Sequence, residues 1–259
     1  MLADGRVPTG GHTQSAGLEP AVRAGLGADG KQLSDVAEYA RDRLRTVTRV
    51  EAAVAVLARH TAISADSSPS PADWSAQGSP SRESRSENPR HPSRLDDQPV
   101  GAGGTGGGEV GLAGVEEAWA ARSSSHVLRG VSRRQGRAYL RLAGRVWPEV
   151  LRYLPRDGEV PRPIVLGVVA AVTGLSAEQV ARIVGYDDVQ TVVSASLKLL
   201  PVDPADAATW LAALHDDIEE MVADVAPLTD VEKLPANAAP LIDVHAQNHA
   251  TERMRLFHA

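Results

Sequence analysis

Outside one continuous apolar run, the apolar residues able to build a core recur every three or four positions, and no segment shows the period of two that a half-buried strand requires. Over residues 32–60 the repeating positions are Leu33, Val36, Ala40, Leu44, Val47, Val54 and Leu57, with Arg41, Arg45 and Arg49 elsewhere. That spacing lays the apolar side chains along one side of a single long helix. A shorter helix is expected over 16–27, after the Pro8-Thr9-Gly10-Gly11 turn. Residues 115–148 form one helix or two in series, with Leu128, Val131, Ala138, Leu142 and Val146 on the apolar side and Trp147-Pro148 at the end.

Residues 164–175 are apolar nearly all round, as expected at the centre of a bundle, and at about twelve residues they fall short of the roughly twenty a bilayer needs. Ser176-Ala177-Glu178-Gln179 is a capping-box signature. It opens a helix through Val180, Ile183, Val189, Val192, Leu197 and Leu200, with Gly185 as a possible bend and Pro201 as its stop. Asp203-Pro204 is a second start signal. Beyond it Ala207, Leu211, Leu214, Ile218, Met221 and Val225 make the cleanest stripe, with Asp216, Asp217, Glu219, Glu220 and Asp224 on the remaining surface.

Aromatics are 3% of the chain, with a single Phe, so the core is made of Leu, Val, Ile and Ala, and the abundance of Ala beside Leu, Glu and Arg favours helices over strands. Residues 64–111 are rich in Ser, Pro, Gly and Arg and poor in aliphatics. Too little apolar surface is available there to offset an ordering entropy of about 1–2 kcal/mol per residue. The expected architecture is therefore all-α: a single helical bundle domain formed by residues 1–63 and 112–259, interrupted by a long disordered insertion at 64–111. Gly101-Ala102-Gly103-Gly104-Thr105-Gly106 spells a G-x-G-x-x-G pattern, but no strand precedes it and more glycine follows. It is read as a chance match, and no phosphate-loop lysine follows Gly108.

The absence of cysteine excludes disulfides, thiolate metal sites and a cysteine nucleophile. A net charge of −6 argues against nucleic acid as the main partner, and no apolar leader or membrane span is seen, so a cytoplasmic location is expected. Arg129, Arg133, Arg137, Arg141 and Arg145 recur every fourth residue and sweep across a helix surface. The simplest reading is a solvated face paired with neighbouring carboxylates; docking of an acidic protein comes next, and nucleic-acid association is the remaining alternative. His245 and His249 are one turn apart with Asp243 nearby, a possible metal pair, although two imidazoles alone read more simply as polar surface. No Ser-His-Asp order, H-E-x-x-H or paired-carboxylate motif stands out, so an interaction protein is favoured over an enzyme.

Four stretches, in order, resemble the urease accessory protein F family (UreF). They are Leu2-Ala3-Asp4 with Pro8 to Glu19; Ser132-Arg133-Arg134-Gln135-Gly136-Arg137; Leu166 to Leu175 with Ser194 to Pro201; and Leu234 to Asp243 running on to His249 and an exposed Arg255-Leu256-Phe257 end. The family usually has an apolar helix ahead of Leu2, where this sequence starts, so a misassigned start or a lost first helix is expected. It also shows G-Q where Val202-Asp203 follows Pro201 here.

The resemblance implies an all-α homodimer without catalysis of its own. It would join a UreD-type (UreH-type) accessory protein and recruit the GTPase UreG, and that complex would deliver nickel to urease apoprotein. No cofactor is held firmly, and nickel is handled by the complex. Under the resemblance Glu19 and Lys198 match positions tied to GTPase coupling. Arg255, Leu256 and Phe257 match a tail that docks on the UreD-type partner, and His249 matches a recurring histidine before it. Arg133 and Arg137, in the second motif, join the partner-binding set.

Overall fold

The computed structural model describes residues 13–26, 34–67 and 111–257. Within them the chain forms α1 (Leu18–Arg23), α2 (Asp35–Arg45), α3 (Val47–Ser67), α4 (Leu112–Arg122), α5 (His126–Val146), α6 (Arg162–Thr173), α7 (Ala177–Leu199), α8 (Pro204–Ala213), α9 (His215–Val225) and α10 (Pro240–Thr251). Short 3₁₀ turns, Pro148–Arg152 and Val231–Lys233, follow α5 and α9. No strand occurs among the described residues, so the fold is all-α as expected.

α6 is the central rod. It is buried from Arg162 through Ala170 and packs most extensively on α3, whose own run from Ala52 to Ala58 is buried without a break. The two helices meet at small residues. A side chain at Gly167 would collide with the Ala55 carbonyl and lie 2.7 Å from the Ala58 Cβ. α5, α7 and α9 close around this pair, and residues from before and after 68–110 enter one continuous core.

Several boundaries differ from the sequence reading. The helix expected over 32–60 is two helices, broken at Thr46 (φ −125°, ψ −99°), where the Thr46 hydroxyl donates to the Asp42 carbonyl at 2.6 Å. The break lets α2 and α3 each lie against α7. α3 then continues to Ser67, past the boundary expected at 64. The rest of the expected insertion, with its glycine pattern, lies outside the described residues. The stripe from Ala207 to Val225 breaks at Leu214, which is fully buried and lets α8 and α9 pack separately on α7.

Gly185 does not end or divide α7. It makes room for α9, since a Cβ there would sit 2.8 Å from the Met221 Cε. The expected capping box at Ser176 and Gln179 is present, with both reciprocal hydrogen bonds formed. No helix among the described residues is long and apolar enough to cross a membrane.

The α3–α6 contact gives the first prediction. Gly167→Leu forces the axes apart and is expected to destabilise the fold by at least about 1–3 kcal/mol. A lower urea midpoint at unchanged slope is the measurement that checks it.

Candidate functional site

Two polar clusters occupy the described interior. The first begins where Ala16 (φ 50°) and Gly17 (φ 78°) take left-handed conformations and reverse the chain into α1. Gly17 is needed twice over: its φ disfavours a side chain, and a Cβ would lie 2.7 Å from the Tyr39 hydroxyl. That hydroxyl donates to the Ala16 carbonyl at 2.9 Å and fixes the turn. Leu18 and Glu19 are thereby driven wholly inside, at 0% exposure.

A buried carboxylate needs donors, and the far end of the chain supplies them. α10 turns Ile242, Ala246 and His249 inward. Beyond Thr251 the chain folds back, and Leu256 N–H donates to Glu19 Oε1 at 2.9 Å while Phe257 N–H donates to Oε2 at 3.0 Å. His249 Nε2 lies 3.0 Å from Oε2, and Arg23 Nη2 donates to Oε1 at 2.7 Å. Arg23 also pairs with Glu252 and donates to the Met254 carbonyl at 2.7 Å. Burial works against the Glu19 charge, but the Leu256 and Phe257 amides and His249 outweigh it, so its carboxyl stays below the usual range.

These contacts correct two expectations. The Arg-Leu-Phe end is not wholly exposed: Phe257 is buried within its own chain, with the Lys198 Nζ 5.1 Å from its ring centre, while Arg255 and Leu256 stay exposed. His249 is not polar surface, being 1% exposed. His245 and His249 also face different spaces. His245 lines an outer groove with Leu241 and Ile242, and His249 an inner cavity. Asp243 accepts from the Ser124 hydroxyl. Among the described residues no three His, Cys, Asp or Glu side chains are grouped to hold a metal.

The second cluster surrounds that inner cavity of about 80 Å³. Arg43 grips Asp188 through two hydrogen bonds of 2.9 and 2.7 Å, and the Thr48 hydroxyl adds one of 2.7 Å. Arg162 donates to Glu51 at 3.1 Å and to Asp187 at 2.7 Å, while Ser132 donates to Glu51 at 3.1 Å. Burial opposes the Asp188 charge, yet Arg43 and Thr48 hold its carboxyl low. Burial pushes Glu51 and Asp187 up, against the pull of Arg162. No local sequence motif singles out these residues, apart from Ser132 in the second motif.

That motif now divides by role. A side chain at Gly136 would collide with the Val160 carbonyl and lie 2.8 Å from the Arg162 amide nitrogen, so the glycine brings α5 close to the start of α6. Arg133 pairs with Glu116 at 2.8 Å and lies over the Trp119 ring at 5.4 Å. Arg129 donates to the Ser123 and Ser124 carbonyls. Of the row, then, Arg133 has the expected carboxylate partner, Arg129 binds main-chain carbonyls instead, and Arg137, Arg141 and Arg145 stay exposed.

The UreF family model matches residues 100–215. The chain is 30% identical over 229 residues to the urease accessory protein UreF of Mycolicibacterium vanbaalenii, covering 87% of this chain and 83% of that one. It is 31% identical over 227 residues to the UreF of Mycobacterium sp. strain JLS, covering 86% and 83%. With the UreF of Mycobacterium marinum it shares 27% over 228 residues, covering 87% and 82%.

Asp188→Ala leaves Arg43 buried without its partner and is expected to cost about 3–5 kcal/mol in a denaturant titration. For Glu19 the lowered folded value means stability that is complete above the ordinary glutamate range and is lost as pH falls through the folded value. Protection of the Leu256 and Phe257 amides against hydrogen exchange should therefore collapse on acidification through that window and hold between neutral and mildly alkaline pH.

Proposed function

The chain belongs to the urease accessory protein UreF family, and on that premise we propose that it is a non-catalytic assembly protein of urease maturation. It joins a UreD/UreH-type accessory protein, and together they recruit a UreG-type GTPase. As a homodimer in the cytoplasm, it helps that complex carry nickel, as cargo, to urease apoprotein.

What supports this reading is one observation: a tail held at its backbone and by the buried Phe257 that turns Met254 and Leu256 outward. Met254 is 82% exposed and Leu256 70%, with Arg255 exposed between them. Leu241 and Val244 of α10 are exposed at 73% and 52%. Exposed aliphatic side chains on an ordered backbone, with a guanidinium among them, suit a protein partner offering apolar pockets and carboxylates.

The test leaves the fold untouched by changing only outward side chains. Arg255→Glu combined with Leu256→Asp is expected to weaken capture of a UreD-type partner at least about tenfold, at an unchanged melting temperature. Wild-type capture by that double variant would refute the assignment.

A further inference from the structure

Glu19 and Lys198, which the resemblance ties to GTPase coupling, meet the tail, which the resemblance ties to a different partner. With 0% of its surface exposed, Glu19 has no area to offer any other molecule while the tail is docked. Any influence it has on a partner must pass through the groups it touches. Two of those are the backbone amides of Leu256 and Phe257.

We infer that Glu19 and Lys198 are positioning residues for the C-terminal tail: Glu19 fixes its backbone and Lys198 covers the Phe257 ring, and together they set which side chains face a partner. The inference rests on the proposed assembly role and deepens it. The geometry is specific to a glutamate. Each carboxylate oxygen accepts two donors: Oε1 takes Leu256 N–H and Arg23, and Oε2 takes Phe257 N–H and His249. A glutamine keeps the shape but has one acceptor oxygen, so its NH2 group would face two N–H donors. The Phe257 ring is the second anchor, 4% exposed beneath Lys198. With the backbone held at 256 and 257, Leu256 and Met254 are presented outward in one arrangement instead of many. Presenting a pre-ordered segment lowers the entropy lost on binding.

Hydrogen exchange of the full chain without partners tests the anchoring alone. Glu19→Gln is expected to raise exchange of the Leu256 and Phe257 amides at least about tenfold while α3 and α6 amides keep wild-type rates. Phe257→Ala should do the same from the other side, and the double variant should exchange no faster than the faster single one, because both act on one contact. Lys198→Ala should loosen the same amides, and Lys198→Arg, which keeps a cation over the ring, should restore them. Wild-type exchange in both Glu19→Gln and Phe257→Ala would overturn the inference, as would loosening spread equally through α3 and α6.

Capture of a UreD-type partner is the second readout. Glu19→Gln should weaken it in parallel with Arg255→Glu/Leu256→Asp. If that outward variant loses capture while Glu19→Gln keeps it, positioning is refuted. If both keep capture while Glu19→Gln frees the tail amides, the assembly reading falls and the anchoring stands.

Discussion

A core assembled from alanine and valine excludes water only if helix axes come close enough for small side chains to interlock. With aromatics at 3% of the chain, no set of large rings is available to fill wider gaps. The α3–α6 contact through Ala55, Ala58 and Gly167 meets that requirement at the centre, and Gly136 and Gly185 repeat it where α5 and α9 join. These approaches fix more than packing. Gly136 holds α5 against the start of α6, and one turn earlier on α5 Ser132 consequently reaches Glu51, the same carboxylate that Arg162 of α6 engages. Backbone proximity at a glycine thus decides where a buried hydroxyl and a buried guanidinium meet.

The polar interior sets a second condition. Arg43 and Arg162 share a small space with Glu51, Asp187 and Asp188, three carboxylates to two cations. Burial and then the Asp188 charge work against ionising Glu51 and Asp187, while Arg162 works for it. Asp188 is held low, against its burial, by the Arg43 charge and then by their paired hydrogen bonds. Such an arrangement contributes little net stability compared with a well-packed apolar one, but a helix shifted by one turn would strand a charge without its partner. In a bundle of similar Ala/Val helices, that penalty separates the native register from near alternatives.

Helix content was legible in the sequence because amphipathic spacing is a local signal, but the inward side of α5 was not: Leu128, Val131, Ala138, Leu142 and Val146 are expected inside, whereas Ser132, Gly136, Tyr139, Leu140 and Ala143 are the buried ones and Val146 is exposed. The breaks at Thr46 and Leu214 were not legible either, since the apolar stripe stays in phase on both sides of each, and a buried Leu214 suits a continuous helix as well as a broken one. The ion-pair network left one faint trace. Arg43 falls in phase with Val36 and Ala40, and Asp188 with Val184 and Val192, so both charges sit on apolar stripes where only a partner permits them. The family resemblance picked out Glu19, Lys198, His249, Arg255, Leu256 and Phe257 as residues but gave no hint that Glu19, Lys198, His249 and Phe257 meet in one place. Glu19 and His249 are 230 positions apart, and no local pattern encodes a contact at that separation.

Under the proposed assembly role, that cluster separates holding the tail from recognising a partner. Glu19 engages the tail at Leu256 and Phe257 through main-chain N–H groups, which every residue but proline possesses, so the hydrogen bonds place almost no demand on the side chain at 256. In that proposed role, positions 254, 255 and 256 would then be free to match a partner's chemistry without altering how the tail is seated. Glu19 has no such freedom. Aspartate is one methylene shorter, glutamine lacks half the acceptors, and an apolar residue would leave the Leu256 and Phe257 amides and the buried His249 without their acceptor. Among the residues that the resemblance assigns to partners, the one that touches no solvent is therefore the one the geometry constrains most tightly.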